Sequence, residues 1–563
     1  MSRELWRSFS TGGLLLGALF FAASLTPTLL PRTFLTQGVL SGCALASGYG
    51  LGVLGGSLLA YMEVARLNGF LRVAKLAAAT GCAIIAVICL WQAAQWQNSI
   101  RELMQLQPVD TVHPLEVTLI ALAVFAILIA LVRFFRLTLR FVATKANRFL
   151  PGRVSTVIGV IVAVVLFWSL INGVLFRGAL RVAEASFQEY DELIEPHTAP
   201  PTDPLKTGSS ASLLAWHKLG RAGRQFISSG PTREDISSFS GRRALDPVRV
   251  YVGLRSADTP ELRAKLALEE LKRVGGFERS VLIVVTPTGT GWVDPAAMDS
   301  VEYLHDGAVA SVALQYSYLA SWLYLLVDPG YGADVARALF NEIYGYWTTL
   351  PKDSRPRLYL HGLSLGAMNS ELAMDPIEIL GDPFAGALWS GPPYSSRLWR
   401  WLTDHRNPGS PAWLPRFRDG SFARFMNQHG ETADPTSAPN AAWGPMRVVY
   451  LQYASDPVTF FEYRSFYREP DWILPPRGPD VSRQLRWYPL VSLLQLALDM
   501  FMATDAPIGH GHVYAVEHYI DAWIEVTDVH DRDQEWIARL KQHLSKRYPA
   551  TLTSAELLAG GRL

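Results

Sequence analysis

The first third of the chain is a series of long apolar runs, and the remainder alternates short apolar strands with amphipathic helices. Five early stretches approach the ~20 apolar residues needed to cross a bilayer. They are Thr11–Leu30, Gln37–Met62, Leu76–Trp96, Pro114–Val132 and Val154–Phe176. Their interiors lack Asp, Glu, Lys, Arg and His, the residues that mark ion and proton pathways, so an anchor is expected rather than a transporter. Asn172 is a strongly polar side chain inside them. Gly48, Gly52 and Gly56 recur at every fourth position, a spacing that lets helices approach closely, while Trp91 and Trp96 suit an interfacial belt.

The short loops add an orientation. Arg3 and Arg7 precede the first run, Arg66, Arg72 and Lys75 follow the second, and Arg133 through Arg153 follow the fourth. The alternate loops hold only Arg32 and Arg101. The basic loops face the cytoplasm in a five-span arrangement with the N-terminus inside a bacterial plasma (inner) membrane, which leaves the C-terminal region extracytoplasmic. A cleavable leader is not expected, since further spans follow the first run directly.

Residues 181–245 read as a linker and interfacial segment containing the proline-rich Pro196–Pro204. Trp216 and Phe226 in this segment suit either headgroups or packing on the domain that follows. Beyond Asp246, strands are expected at Val248–Leu254, Ser280–Thr286, Val312–Tyr316, Leu358–His361, Ala385–Ser390 and Arg447–Tyr453. Helices at Pro260–Val274 and Ala333–Thr348 alternate with them, which implies a mostly parallel sheet covered on both faces. No strand is legible between Asp456 and His510, where Tyr488–Thr504 reads as an apolar helix instead. The expected division is therefore a transmembrane helical domain at 1–180, the linker at 181–245, and an α/β catalytic domain at 246–563.

Composition narrows the function. A chain of 563 residues with a net charge of +1 has no electrostatic reason to bind nucleic acid. Mean hydropathy of +0.15 is high for a wholly soluble protein. The cysteines are Cys43, Cys82 and Cys89, all inside apolar runs, so neither a disulfide framework nor a thiolate metal site is expected. Neither a metal nor another cofactor is called for.

The chemistry centres on Arg357-Leu358-Tyr359-Leu360-His361-Gly362-Leu363-Ser364-Leu365-Gly366-Ala367-Met368. An apolar strand enters Gly-x-Ser-x-Gly and a helix leaves it, the form of a nucleophile elbow with Ser364 at its apex. A serine hydroxyl needs an imidazole to take its proton, and the imidazole needs a carboxylate to fix its tautomer. On sheets of this kind the chain order is Ser, acid, His. Asp456 follows the Arg447–Tyr453 strand, with Asp505 in reserve; its other reading is a turn-starting Asp before proline. His512 and His510 share the Gly509–Tyr514 loop, and His512 is preferred for its place at a helix mouth. His361 and His518 read as structural. One oxyanion-hole amide is expected from Leu365, and a second from the Thr286–Trp292 loop at Thr288, Gly289 or Thr290. That loop lacks the lysine and spacing of a phosphate cradle.

Taken with Ser229-Gly230-Pro231-Thr232, Asp294-Pro295, Gln315-Tyr316-Ser317-Tyr318-Leu319, Gly391-Pro392-Pro393 and Ser455-Asp456-Pro457, the chain resembles the bacterial membrane α/β-hydrolases. These join an N-terminal multi-span domain to a C-terminal catalytic domain, and the resemblance covers nearly the whole length. It implies a serine hydrolase-like α/β-hydrolase fold. The expected activity is that of an esterase, lipase or acyltransferase held at a lipid bilayer and acting on acyl esters of lipid-like substrates. The competing expectation is a non-catalytic membrane scaffold or lipid-binding protein on the same fold.

Overall fold

The structure is a computed structural model that describes residues 9–62, 71–147, 198–319, 330–429 and 441–549, with isolated positions between 160 and 193. The chain divides into two compact units. The first comprises Met1–Val182 with Glu462–Ile473 and Asp480–Met500, and the second holds the rest.

In the first unit, α1 is Thr11–Ser24, α2 Phe34–Tyr61, α3 Leu71–Arg101 and α4 Pro114–Ala146. Among the described residues, Phe34–Tyr61, Val73–Arg101 and Pro114–Lys145 are long and apolar enough to cross a membrane. The first expected span is shortened. Helix α1 has 14 residues, about 21 Å at 1.5 Å each, and stops ahead of Pro27. The expected fifth span, Val154–Phe176, lies outside the described residues apart from a few positions, and Asn172 lies outside them too.

The glycine spacing has a physical outcome. A Cβ on Gly48 would lie 2.7 Å from the Leu16 carbonyl oxygen, and one on Gly52 would lie 2.6 Å from the Gly13 Cα. Backbones of α1 and α2 therefore touch. Gly38 and Gly42 do the same for α2 against Ile120 and Val124 of α4, whereas Gly56 faces open space and takes no part.

The early end of α1 leaves carbonyls and amides that need partners. Residues far along the chain supply them. Within this unit Gln495 donates to the carbonyls of Ser24 (3.3 Å) and Thr26 (3.2 Å). Asp499 accepts from the Leu29 amide (3.1 Å) and pairs with Arg32 (3.2 Å), both side chains being fully buried. The apolar Tyr488–Thr504 stretch is thus a shorter helix, Val491–Phe501, whose polar face completes the first unit.

The second unit is built on seven strands: β1 Val248–Val252, β2 Val281–Thr286, β3 Val309–Leu314, β4 Arg357–Leu363, β5 Gly386–Ser390, β6 Ala423–Met426 and β7 Arg447–Leu451. Their order is β1-β3-β2-β4-β5-β7-β6 and every pairing is parallel. Near-continuous Val, Leu and Ile runs suit strands buried on both faces. Helices α5 (Pro260–Arg273) and α7 (Tyr331–Thr349) pack on each other, as do α6 (Pro295–Leu304) and α9 (Val516–Thr527), while α8 (Leu365–Ala373) follows β4. Trp216 and Phe226 are buried in this unit, with the Phe226 ring 6.0 Å from Tyr251 of β1.

One strand escapes the sequence pattern. β6 is a four-residue edge strand, and its Arg424 lies with the guanidinium 3.8 Å from the Trp443 ring centre. Register brings Thr286 beside Gly362, Leu363 beside Ser390, and Ser390 beside Leu451. The carboxyl ends of β2, β4, β5 and β7 therefore line up along one sheet edge, where ligands of such sheets bind.

Candidate active site

Ser364 sits at the top of β4 with φ 58° and ψ −125°, a conformation that L-residues rarely adopt. The turn is tight enough to explain both flanking glycines. A Cβ on Gly362 would lie 2.4 Å from the Gly366 carbonyl carbon, and one on Gly366 would lie 2.2 Å from the Thr286 carbonyl oxygen. The first turn of α8 closes by the Met368 amide donating to the Ser364 carbonyl (3.2 Å). The Ser364 amide donates to the Ser390 carbonyl (2.9 Å), tying the elbow to the end of β5.

Asp456, fully buried, caps the short helix that follows β7. Its Oδ1 accepts from the amides of Val458 (2.8 Å) and Thr459 (3.4 Å). Its Oδ2 accepts from His512 Nδ1 and from the Tyr514 hydroxyl, both at 2.7 Å. The turn-starting and imidazole-holding readings therefore coexist: Oδ1 takes the turn's amides, while Oδ2 takes the imidazole, the Tyr514 hydroxyl and, at 3.3 Å, the Thr459 hydroxyl. A carboxylate only accepts, so the His512 proton is on Nδ1 and Nε2 presents a lone pair. Nε2 is buried and has no hydrogen-bond partner among the described residues.

The loop that carries His512 is held at several points. The Gly511 amide donates to Ser455 Oγ (2.9 Å), the His512 amide to the Ala503 carbonyl (3.1 Å), and the Gly509 amide to the Val513 carbonyl (2.8 Å). Gly391, with φ +51°, makes room for the ring: a Cβ there would lie 2.6 Å from His512 Cε1. Ser364 and His512 thus both abut the Ser390–Gly391 pair, although no hydrogen bond joins the hydroxyl to Nε2 in this structure. The helix after the loop begins at Val516 rather than Val513.

The alternatives are placed elsewhere. Asp505 is exposed, and its carboxylate bonds neither histidine. His510 forms a bridge with Val513 and makes no hydrogen bond to Asp456. Burial pushes both His361 and His518 down to about 4. His361 Nδ1 bonds the Leu388 carbonyl at 2.9 Å, and His518 Nδ1 bonds the Tyr453 hydroxyl at 2.6 Å.

One oxyanion assignment needs correction. The Thr288 amide is committed to the Trp292 carbonyl (2.9 Å), because residues 288–292 form a reverse turn closed also by Gly291 donating to Thr288 (2.9 Å). The amides of Leu365 and Thr290 make no hydrogen bond among the described residues. Gly289 lies between Thr288 and Thr290 in that turn. The close approach of Gly366 to Thr286 sets this loop beside the N-terminus of α8, whose amides favour negative charge.

Tyr514 is the functional neighbour that sequence reasoning missed. It lies two positions past His512, which sits in the turn closed by the Val513 amide donating to the His510 carbonyl (3.1 Å), and only the shared Asp456 oxygen relates the two side chains. No cluster of three or more His, Cys, Asp or Glu that could hold a metal occurs among the described residues.

A second carboxyl near the elbow titrates in an accessible range. Glu371 on α8 accepts from the Tyr450 hydroxyl (2.9 Å) and the Leu398 amide (3.2 Å), yet burial pushes it up to about 8. An acid with a raised folded pKa contributes stability fully below its unfolded value of ~4.3, and loses it as pH rises through the folded pKa. Asp294, which caps α6 and is pushed up to about 7 by burial, acts with the same sign. Glu371→Gln is therefore expected to gain stability relative to wild type as pH rises from about 5 to about 9. Melting curves across that range check this, and parallel curves would remove Glu371 from the titration.

A search of curated proteins and one of solved structures each return no match. Two family descriptions do match: "Alpha/beta-hydrolase family" over residues 248–540, and "Alpha/beta-hydrolase family N-terminus" over residues 25–231. The first alone spans over half the chain, and the seven-stranded parallel sheet agrees with it. With its elbow serine at the carboxyl edge of that sheet, this chain belongs to the alpha/beta-hydrolase family.

Proposed function

We propose that the protein is a membrane-anchored serine hydrolase that cleaves acyl esters through Ser364, His512 and Asp456. The observation that carries this reading is the buried Asp456–His512 pair, with Nε2 unpartnered at the edge where the elbow serine sits. His512 Nε2 takes the Ser364 proton as Oγ attacks the acyl carbonyl. The oxyanion forms against the amides of Leu365 and Thr290 or Gly289. The tetrahedral intermediate then expels the alcohol, which receives the proton from His512. Water, deprotonated by His512, attacks the acyl-enzyme and releases the acid and Ser364. A second hydroxyl compound in place of water makes the same cycle an acyl transfer.

A lipid-like substrate is favoured by the three membrane-length helices found among the described residues. The basic residues that favour an extracytoplasmic catalytic unit lie partly on helix ends, Arg72 and Lys75 on α3 and Arg133, Arg136, Arg140 and Lys145 on α4, rather than in loops as expected. The test is turnover of p-nitrophenyl esters of graded chain length, and of phospholipids, by the detergent-solubilised full chain. Folded protein that binds these esters without turning any over would sink the enzymatic reading.

Tyr514 acts through Asp456 rather than on substrate. Tyr514→Phe removes one donor to a buried carboxylate, a contact of about 1.5–3 kcal/mol. The expected result is kcat lowered about tenfold with KM unchanged. A change confined to KM would exclude this positioning role.

A further inference from the structure

The first unit contains a cleft of about 680 Å3 whose lining residues all belong to it, and Ser364 is not among them. Its volume falls in the ~300–1,000 Å3 range of ligand sites. Two of its walls are α1 and α3, and Gln484, Arg486, Tyr488, Pro489 and Val491 complete the lining.

The lining is graded. On α3 the cleft residues are Ile85, Cys89, Gln92 and Trp96, one helical face that passes from apolar to polar over about 16 Å. Along α1 the lining runs from Leu16, Leu19 and Phe20 through Ala22 and Ala23 to Thr26 just past the helix end. Gln484, Arg486 and Tyr488 follow Ser482, which bonds Ser99 of α3 (2.7 Å), one turn past Trp96. That gradient matches an amphiphile and not a simple apolar guest.

The polar end is also prepared for an anion. Arg486 is the one charged residue in the lining. Its Nη1 donates to the carbonyls of Arg483 (3.1 Å) and Leu485 (2.9 Å), which orients the guanidinium. Nη2 and Nε, and the side-chain amides of Gln92 and Gln484, make no hydrogen bond among the described residues. The α3 residues beside the cleft, Val87, Ile88 and Trp91, are exposed apolar surface on a membrane-length helix. An occupant therefore enters from where acyl chains would lie.

We propose that this cleft binds one anionic phospholipid, with an acyl chain between α1 and α3 and the phosphate against Arg486, Gln92 and Gln484. A charge-assisted guanidinium–phosphate contact gives the headgroup its preference. The site is distinct from the serine site, and its ligand is held without being cleaved.

The experiment uses the full chain in nanodiscs doped with a photoactivatable phosphatidylglycerol or the matching phosphatidylcholine. Crosslinks are mapped by mass spectrometry. The expected result is labelling concentrated at residues 16–26, 85–96 and 484–491, about tenfold stronger for phosphatidylglycerol. Arg486→Gln should reduce that labelling to the phosphatidylcholine level. Cys89→Trp, which fills the apolar end, should block both probes. Melting temperature and monodispersity of each variant establish that it is folded. Equal labelling by the two probes that Arg486→Gln leaves unchanged would overturn the proposal. So would labelling spread over the outer faces of α2 and α4, or crosslinks to a second copy of the chain in place of lipid. Because no readout depends on ester turnover, the lipid site and the serine hydrolase reading fail separately.

Discussion

Ser364→Ala is expected to abolish labelling by a fluorophosphonate and to lower ester turnover by roughly a million-fold, the scale seen when a triad nucleophile is removed. The geometry accounts for so large a loss. The hydroxyl stands on a backbone at φ 58°, and no neighbouring nucleophile occupies the elbow. His512→Ala should be about as severe, since the members of a triad act as one unit. Asp456→Asn should cost about ten-thousand-fold, because an amide cannot impose the Nδ1–H tautomer. The measurement is the rate of fluorophosphonate labelling of detergent-solubilised wild type and variants, with intact-mass detection. Labelling that survives His512→Ala and disappears in His510→Ala would move the base by two residues. Wild type that stays unlabelled with its pocket open would favour the scaffold reading.

Gly391→Ala is expected to cut kcat by about a hundred-fold to a thousand-fold while leaving KM close to wild type. This residue touches no reacting atom, so the effect would come from displacing one that does. Its added methyl would lie 2.6 Å from His512 Cε1, 2.9 Å from Nδ1 and 2.9 Å from the Tyr514 hydroxyl. The φ of +51° adds strain of about 1–2 kcal/mol for any L side chain. The imidazole is the piece that can move. Its departure breaks the 2.7 Å bond to Asp456 and carries Nε2 away from the serine. Steady-state kinetics on a p-nitrophenyl ester, with melting curves to establish folding, decide the matter. A folded variant with wild-type kcat would show that His512 does not act from this position.

The site was only partly legible in the chain. Gly-Leu-Ser-Leu-Gly carried half of its own geometry: glycine at 362 is demanded by Gly366 four positions on, whereas glycine at 366 is demanded by the Thr286 carbonyl at the end of β2. Tyr514 carried no periodic signal, because His512 sits in a turn, and it acquires meaning only from the Asp456 carboxylate beside it. The Thr288 amide was misassigned because a loop of small residues does not reveal which of its amides the turn consumes. β6 went unread because an edge strand of four residues needs no continuous apolar run.

Local and periodic information determined the rest. Unbroken apolar runs announced the helices α2 to α4, and buried parallel strands announced themselves by runs of Val, Leu and Ile, because each element must bury its own surface. Whatever depends on partners distant in sequence was decided only by tertiary structure. Asp499 meets the backbone of Leu29, Gly391 opens space for His512, and Asp456 divides its two oxygens between a helix cap and an imidazole. Hydrogen bonds and excluded volume act over a few ångströms, and the chain alone does not state which residues folding will bring that close.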